Sequence, residues 1–278
     1  MKIKYTLIPF ILGLLLLIPY GICQMAELKI IKNFTLIPTD TMYTIFGVIS
    51  FLFMVCIFVL SFLSKDEPNN VQLGKSYVLG ILSALISLFL ICIGGVILLS
   101  VILFREYVYP IFQSFLLSIL SILTGISFIM LSEGYFYGSN PFKKHSIIAI
   151  FPTLWVLDQL IICFISNTTT SNTRLHSLHI VELAALLLFL FNHARQFVPV
   201  EMKNSTKRLF AYGLIFIFIS CIYNISVIIL KFRDMPNYSS GYNINCIANL
   251  FLIIYISIIL MNVYQKIYYP RAISRNNV

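Results

Sequence analysis

The chain has 278 residues, of which 59% are hydrophobic and only 10% are charged, and its mean hydropathy is +0.94. This composition excludes a soluble globule, because too little polar surface is available to cover the apolar residues. The net charge of +9 suits cytoplasmic loops and an anionic lipid surface, so we expect no nucleic acid partner.

Eight apolar stretches fill the sequence. A helix needs about 20 residues to cross a hydrocarbon core of about 30 Å, and its backbone groups must pair within the segment. The predicted spans are 5–23, 43–63, 77–104, 111–132, 147–166, 178–198, 209–230 and 244–264. The sequence therefore predicts an all-α polytopic membrane protein, a single helical bundle over residues 1–278 whose surrounding partner is the lipid bilayer.

The loop charges predict an orientation. With eight spans the two termini share a side, and that side carries most of the 19 Lys and Arg residues. Because basic residues accumulate in cytoplasmic loops, we expect both termini to be cytoplasmic. In an alternative, Lys2, Lys4 and the run ending near Cys23 form a signal peptide, whose cleavage leaves seven spans. Tyr135 and Tyr137 lie near a predicted span end, where aromatic rings favour the interface.

Known catalytic and nucleotide-binding patterns are absent from the sequence. The Gly-rich phosphate loop, H-E-x-x-H and G-x-S-x-G do not occur, and the loops are too short to fold as soluble domains. The sequence therefore identifies no cofactor and no catalytic residue.

Small and polar residues recur at helical spacing on several spans. Small residues let helix backbones approach closely in lipid, so the stripes predict tight packing, with a polar ligand path as the alternative. Pairs four residues apart, Ser220 with Asn224 and Asn245 with Asn249, predict hydrogen bonds between helices. The stripes are Gly80, Ser83, Ala84, Ser87 and Gly94 on span three, and Ser114, Ser118, Ser121, Gly125 and Ser132 on span four.

Two acidic residues lie well within predicted spans, Asp158 on span five and Glu182 on span six. A charged side chain at mid-membrane costs about 2.5–3.5 kcal/mol on insertion scales, so both should face protein or water. They lie roughly 12 Å and roughly 7 Å below the same surface. Because a short loop joins these spans, we expect antiparallel neighbours whose carboxyls share an outer-facing pocket.

Span six carries a polar stripe through His179, Glu182 and His193, interrupted at Ala185 and Phe189. Such a stripe should point into the bundle. On span five, Trp155 lies one turn from Asp158, where its ring face would suit a cation. The predicted ligand-binding residues are Asp158, Glu182, His179, His193 and Trp155.

Three interpretations of this group are open. The acids hold helices together through hydrogen bonds, or they bind a proton, a cation or a cationic small molecule. In the third, His176, His179 and Glu182 bind zinc. Because those three donors spread over about 120° of the helix, they match a zinc site weakly, and we predict no metal ligand.

Part of spans five and six resembles a known pattern. The segments are Phe151-Pro152-Thr153-Leu154-Trp155-Val156-Leu157-Asp158, Glu182-Leu183-Ala184 and Asn192-His193-Ala194-Arg195. They resemble uncharacterised polytopic membrane proteins of Clostridia-type bacteria. The resemblance implies a bacterial cytoplasmic membrane and no particular activity.

The leading functional hypothesis is binding or transport of a small molecule or ion, by a transporter or its accessory subunit, through the acidic pocket. The alternative is a non-catalytic sensor or scaffold that contacts a cytoplasmic protein partner through Glu201–Arg208. An intramembrane enzyme using His179 or His193 for proton transfer lacks a persuasive nucleophile, so the sequence favours a protein that is not an enzyme.

Overall fold

The computed structural model describes residues 3–27, 39–64, 74–104, 111–166, 173–197, 205–231 and 241–268. These ranges contain helices and no strand, which confirms the all-α prediction. Their nine α-helices are α1 (Leu7–Leu15), α2 (Leu17–Glu27), α3 (Thr39–Leu63), α4 (Tyr77–Leu99), α5 (Ile111–Tyr137), α6 (Phe151–Ser166), α7 (Thr173–Arg195), α8 (Ser205–Lys231) and α9 (Gly241–Tyr268).

Seven segments of the described ranges are long and apolar enough to cross a membrane, so the chain is an integral membrane protein. The first segment joins α1 and α2, which are separated only at Leu16, and the other six coincide with α3 to α8. The eighth predicted span falls inside α9, where the described apolar stretch, Asn249–Gln265, is shorter.

Six of the helices pack in a closed circuit. Along the chain, α4 contacts α5, and each helix then contacts the next as far as α9, which returns to α4. Helices α1, α2 and α3 pack against α8 from outside this circuit. Because α8 has neighbours on both sides, it is the most buried of the seven spans.

The α4–α5 pair makes the most extensive helix contact of the described structure. Serine hydroxyls of each helix donate to backbone carbonyls of the other, so polar groups in the apolar layer are satisfied without water. Small residues of both predicted stripes thus serve helix packing. The bonds are Ser87 Oγ to Gly125 O (2.7 Å), Ser118 Oγ to Gly94 O (2.7 Å), Ser121 Oγ to Leu90 O (2.8 Å) and Ser132 Oγ to Gly80 O (2.7 Å).

Gly94 and Gly95 provide a matched test of this packing. A Cβ at Gly94 would lie 2.8 Å from Ile122 Cγ1 and 2.9 Å from the backbone oxygen of Ser118, whereas a Cβ at Gly95 meets nothing within 4 Å. We expect Gly94→Ala to lower the free energy of unfolding by about 1–3 kcal/mol, because the close helix approach must widen. Gly95→Ala should raise it by up to about 1 kcal/mol through helix propensity. Thermal unfolding in detergent measures both, and a Gly94→Ala protein as stable as Gly95→Ala contradicts the packing argument.

Candidate functional site

Glu182 lies within the membrane-spanning part of α7 and its side chain is only 1% exposed. Its Oε2 lies 3.0 Å from Nδ1 of His179, one turn earlier on the same helix. Its Oε1 accepts hydrogen bonds from Ser220 Oγ on α8 and from Asn249 Nδ2 on α9, the latter at 2.9 Å. One buried carboxyl therefore ties three helices together. We call His179, Glu182, Ser220 and Asn249 the Glu182 cluster.

The surroundings of His179 define its chemistry. Its ring stacks on that of Tyr223 from α8, with centroids 4.7 Å apart and an angle of 15° between the planes. When Glu182 is ionised it only accepts hydrogen bonds, so Nδ1 of His179 carries the hydrogen. The other ring nitrogen, Nε2, then carries the lone pair of the ring and can only accept a hydrogen bond.

Asn224 extends the Glu182 cluster along α8. Its Nδ2 donates to the carbonyl oxygen of Ser220 at 2.7 Å and lies 3.3 Å from Ser220 Oγ. Its Oδ1 is buried without a hydrogen-bond partner in the described structure. The predicted bonding between helices is thus confirmed for Ser220 and Asn249, which both donate to Glu182 on α7, whereas the described bonds of Asn224 stay within α8. The side chain of Asn245 lies outside the described residues.

Asp158 on α6 is placed differently from Glu182. It is 7% exposed, and its Oδ2 has no hydrogen-bond partner among the described residues. On the neighbouring α7, His176 Nε2 lies 2.6 Å from the carbonyl oxygen of Cys163, which sets the register of the two helices. The two helices run antiparallel, so the residue five positions before Cys163 lies level with the residue five positions after His176. Asp158 is therefore level with Val181. No hydrogen bond of the described structure joins Asp158 to Glu182, and their shared pocket stays a prediction.

The zinc spacing on α7 does not converge on one point. His176 is directed to the Cys163 carbonyl, whereas His179 is directed to Glu182. Within the described residues, no group of three His, Cys, Asp or Glu side chains is arranged to hold a metal ion.

His193 belongs to a second buried group, nearer the Arg195 end of α7. Its Nε2 lies 3.4 Å from Tyr135 Oη on α5, and that oxygen lies 3.3 Å from Tyr255 Oη on α9. We call Tyr135, His193 and Tyr255 the Tyr135 cluster. All three side chains are buried in the bundle, so three helices are again joined by polar contacts.

The sequence interpretation missed the role of Tyr135. It predicted an interfacial ring at the end of a span closing at residue 132, but α5 continues to Tyr137. Tyr137 is 77% exposed, whereas Tyr135 is 3% exposed and faces inward. Tyr255 was not singled out either, since a lone Tyr in an apolar span carries no signal of its partners.

Trp155 lines a small cavity that is apolar rather than polar. The cavity has a volume of about 10 Å³, about the room needed by one water molecule and far below the roughly 300–1,000 Å³ of small-molecule sites. The described contacts of Trp155 do not test its predicted part in a cation site. The cavity is lined by Ile86, Phe89, Leu90, Phe128, Trp155, Leu190, Phe251 and Leu252.

Glu182 and Asp158 should respond oppositely to removal of the carboxyl. Glu182→Met leaves donors of His179, Ser220 and Asn249 without an acceptor, and each unsatisfied buried donor costs about 1–3 kcal/mol. Asp158→Leu replaces two oxygens with two methyl groups where one oxygen has no hydrogen-bond partner among the described residues, so we expect unchanged or increased stability. Thermal unfolding in detergent measures both. If the two substitutions lower the stability equally, this contradicts the conclusion that Glu182, and not Asp158, accepts these buried hydrogen bonds.

Comparisons with known proteins give no relative in which the two clusters could be compared. The chain matches no protein-family model, no curated protein and no solved structure. The resemblance of spans five and six to membrane proteins of Clostridia-type bacteria stays a prediction.

Proposed function

We propose that this integral membrane protein binds a proton at His179 and Glu182 and couples that binding to transport of a small molecule or ion. The observation that carries the proposal is the carboxyl of Glu182, buried in a membrane-spanning helix and bonded to donors from α7, α8 and α9. Ionisable groups in this position are costly and characteristically serve proton or ion pathways.

The crowding of the site favours a proton over a larger ligand. Both oxygens of Glu182 already accept hydrogen bonds, and one face of the His179 ring is covered by Tyr223. A metal ion or an organic cation would have to displace these donors, with a large loss of hydrogen bonding. A proton needs no additional space.

Protonation of the carboxyl changes the contacts between helices. An ionised Glu182 accepts from all three donors, and hydrogen bonds to a charged acceptor are stronger than those to a neutral one. A neutral carboxylic acid weakens the bonds from Ser220 and Asn249, and so weakens the connection of α7 to α8 and α9. This change gives proton binding a means of shifting helix positions, as coupling to transport requires.

The orientation of the site is part of the proposal. Asn140 Nδ2 donates to the carbonyl oxygen of Phe197 at 2.8 Å, which sets the loop after α5 beside the end of α7. Lys143 and Lys144 are exposed in this loop. Their charge supports a cytoplasmic location for the Arg195 end in a bacterial cell membrane, with the Glu182 cluster nearer the outer surface.

The sensor or scaffold hypothesis has less support. Residues 201–204 of its predicted contact segment lie outside the described residues, and Ser205–Arg208 form the first turn of α8. The side chain of Lys207 is buried there, which removes one of the charges that this hypothesis offers to a cytoplasmic partner.

The test measures proton uptake by the purified protein after a pH step. Difference infrared spectroscopy then shows which carboxyl and imidazole bands change. We expect Glu182→Gln to remove one protonation event while the protein stays folded, because Gln retains the shape and an oxygen acceptor. Asn192→Ala is the control, since Asn192 is a buried polar residue of α7 whose side chain, within the described ranges, bonds to the Leu188 carbonyl of its own helix.

Asn192→Ala should behave as the wild type. Proton uptake and infrared bands unchanged in Glu182→Gln refute the proposed function.

A further inference from the structure

The two polar clusters lie on one face of α7. Glu182 and His193 are eleven residues apart, which separates them by about 20° around the helix axis and about 16.5 Å along it. Helix α9 contributes to both groups, through Asn249 to the first and Tyr255 to the second. Two sets of exchangeable protons are therefore aligned inside the same circuit of helices.

An apolar layer separates the clusters. Leu186 and Phe189 lie between Glu182 and His193 on the same face of α7, and both are fully buried. The Phe189 ring stacks on His193, with centroids 5.8 Å apart. The Phe189 ring also lies close to α8, because a Cβ added at Gly213 would lie 3.2 Å from Phe189 Cδ2. The ring thus fills the space between His193 and the backbone of α8.

The Tyr135 cluster has the chemistry of a proton relay. The Tyr135 hydroxyl lies between His193 Nε2 and the Tyr255 hydroxyl, at 3.4 Å and 3.3 Å. A hydroxyl group accepts one proton while it donates its own. When Tyr255 passes its proton through Tyr135 to the imidazole, Tyr255 takes up a replacement proton from water, so neither Tyr135 nor Tyr255 is left as a tyrosinate. The Arg195 side chain points away from His193 and lies over the Phe191 ring. In the described structure, the titratable groups that contact His193 are Tyr135 and Tyr255.

We infer that the Tyr135 cluster is the second proton-exchange site of the path that contains Glu182, and that Phe189 is the gate between them. The inference rests on the proposed function. With the ring in place the path is dry, since Leu186 and Phe189 carry no hydrogen-bonding group. Movement of the Phe189 ring admits water, which then connects the two clusters, as in pores that close by dewetting.

Phe189→Ala tests the gate. In liposomes that contain a pH-sensitive dye, we expect a several-fold faster proton leak under a potassium diffusion potential than for the wild type. Phe218→Ala is the matched control, because Phe218 is an equally buried Phe that contacts Gly13 of α1, away from both clusters. A leak through Phe189→Ala no faster than through Phe218→Ala overturns the gate.

Tyr135→Phe tests the relay and needs no cavity in the core. It removes one oxygen atom and retains the ring, so we expect slower proton uptake by the otherwise unaltered protein, and a slower leak when it is combined with Phe189→Ala. Tyr212→Phe is its control, since Tyr212 is a partly buried ring of α8 beside Phe58. Unchanged uptake kinetics in Tyr135→Phe overturn the relay, whether or not Phe189→Ala folds.

The proposed function and this inference fail separately. If Glu182→Gln retains full proton uptake, the proposed function is wrong and the inference falls with it. If Glu182→Gln loses uptake while Phe189→Ala and Tyr135→Phe match their controls, only the second site and its gate are wrong.

Discussion

Hydrogen bonds that replace water inside the membrane are the constraint on which this structure depends. In a hydrocarbon layer, a polar group left alone costs several kcal/mol on the scale of about 2–7 for an unpaired amide or hydroxyl. The α4–α5 pair meets the constraint with serine-to-carbonyl bonds across the interface. Glu182 meets it with donors from three helices, so a single carboxyl connects α7, α8 and α9.

The helices could be predicted from the sequence because each span is specified locally. A run of apolar residues long enough to cross the bilayer must satisfy its own backbone, and so it becomes a helix whatever its neighbours are. The small-residue stripes were also informative, since only close backbone approach uses them so regularly. The same reasoning drew attention to Glu182, His179 and Asp158, because acids and imidazoles are rare within spans.

The partners of these groups could not be predicted, because they come from distant parts of the chain. Ser220 and Asn249 lie 38 and 67 residues beyond Glu182, and helical spacing describes neighbours only on the same helix. Asp158 and Glu182 look equivalent in sequence and depth. Only tertiary contacts show that Glu182 is surrounded by donors, whereas Asp158 Oδ2 has no donor in the part of the chain that the structure describes. Tyr135 was misplaced because helix ends are set by capping and packing that apolar runs do not report.

The serine-bonded α4–α5 pair has a mechanical consequence for α9. Two helices joined along their length by four such bonds resist sliding against each other. Helix α9 packs against α4 on one side and against α8 on the other. Its Asn249 donates a hydrogen bond to the Glu182 carboxyl on α7. Under the proposed function, protonation of Glu182 weakens the hydrogen bond from Asn249 but not the contacts of α9 with α4. Proton binding would then act on one edge of α9 and leave the other edge in place.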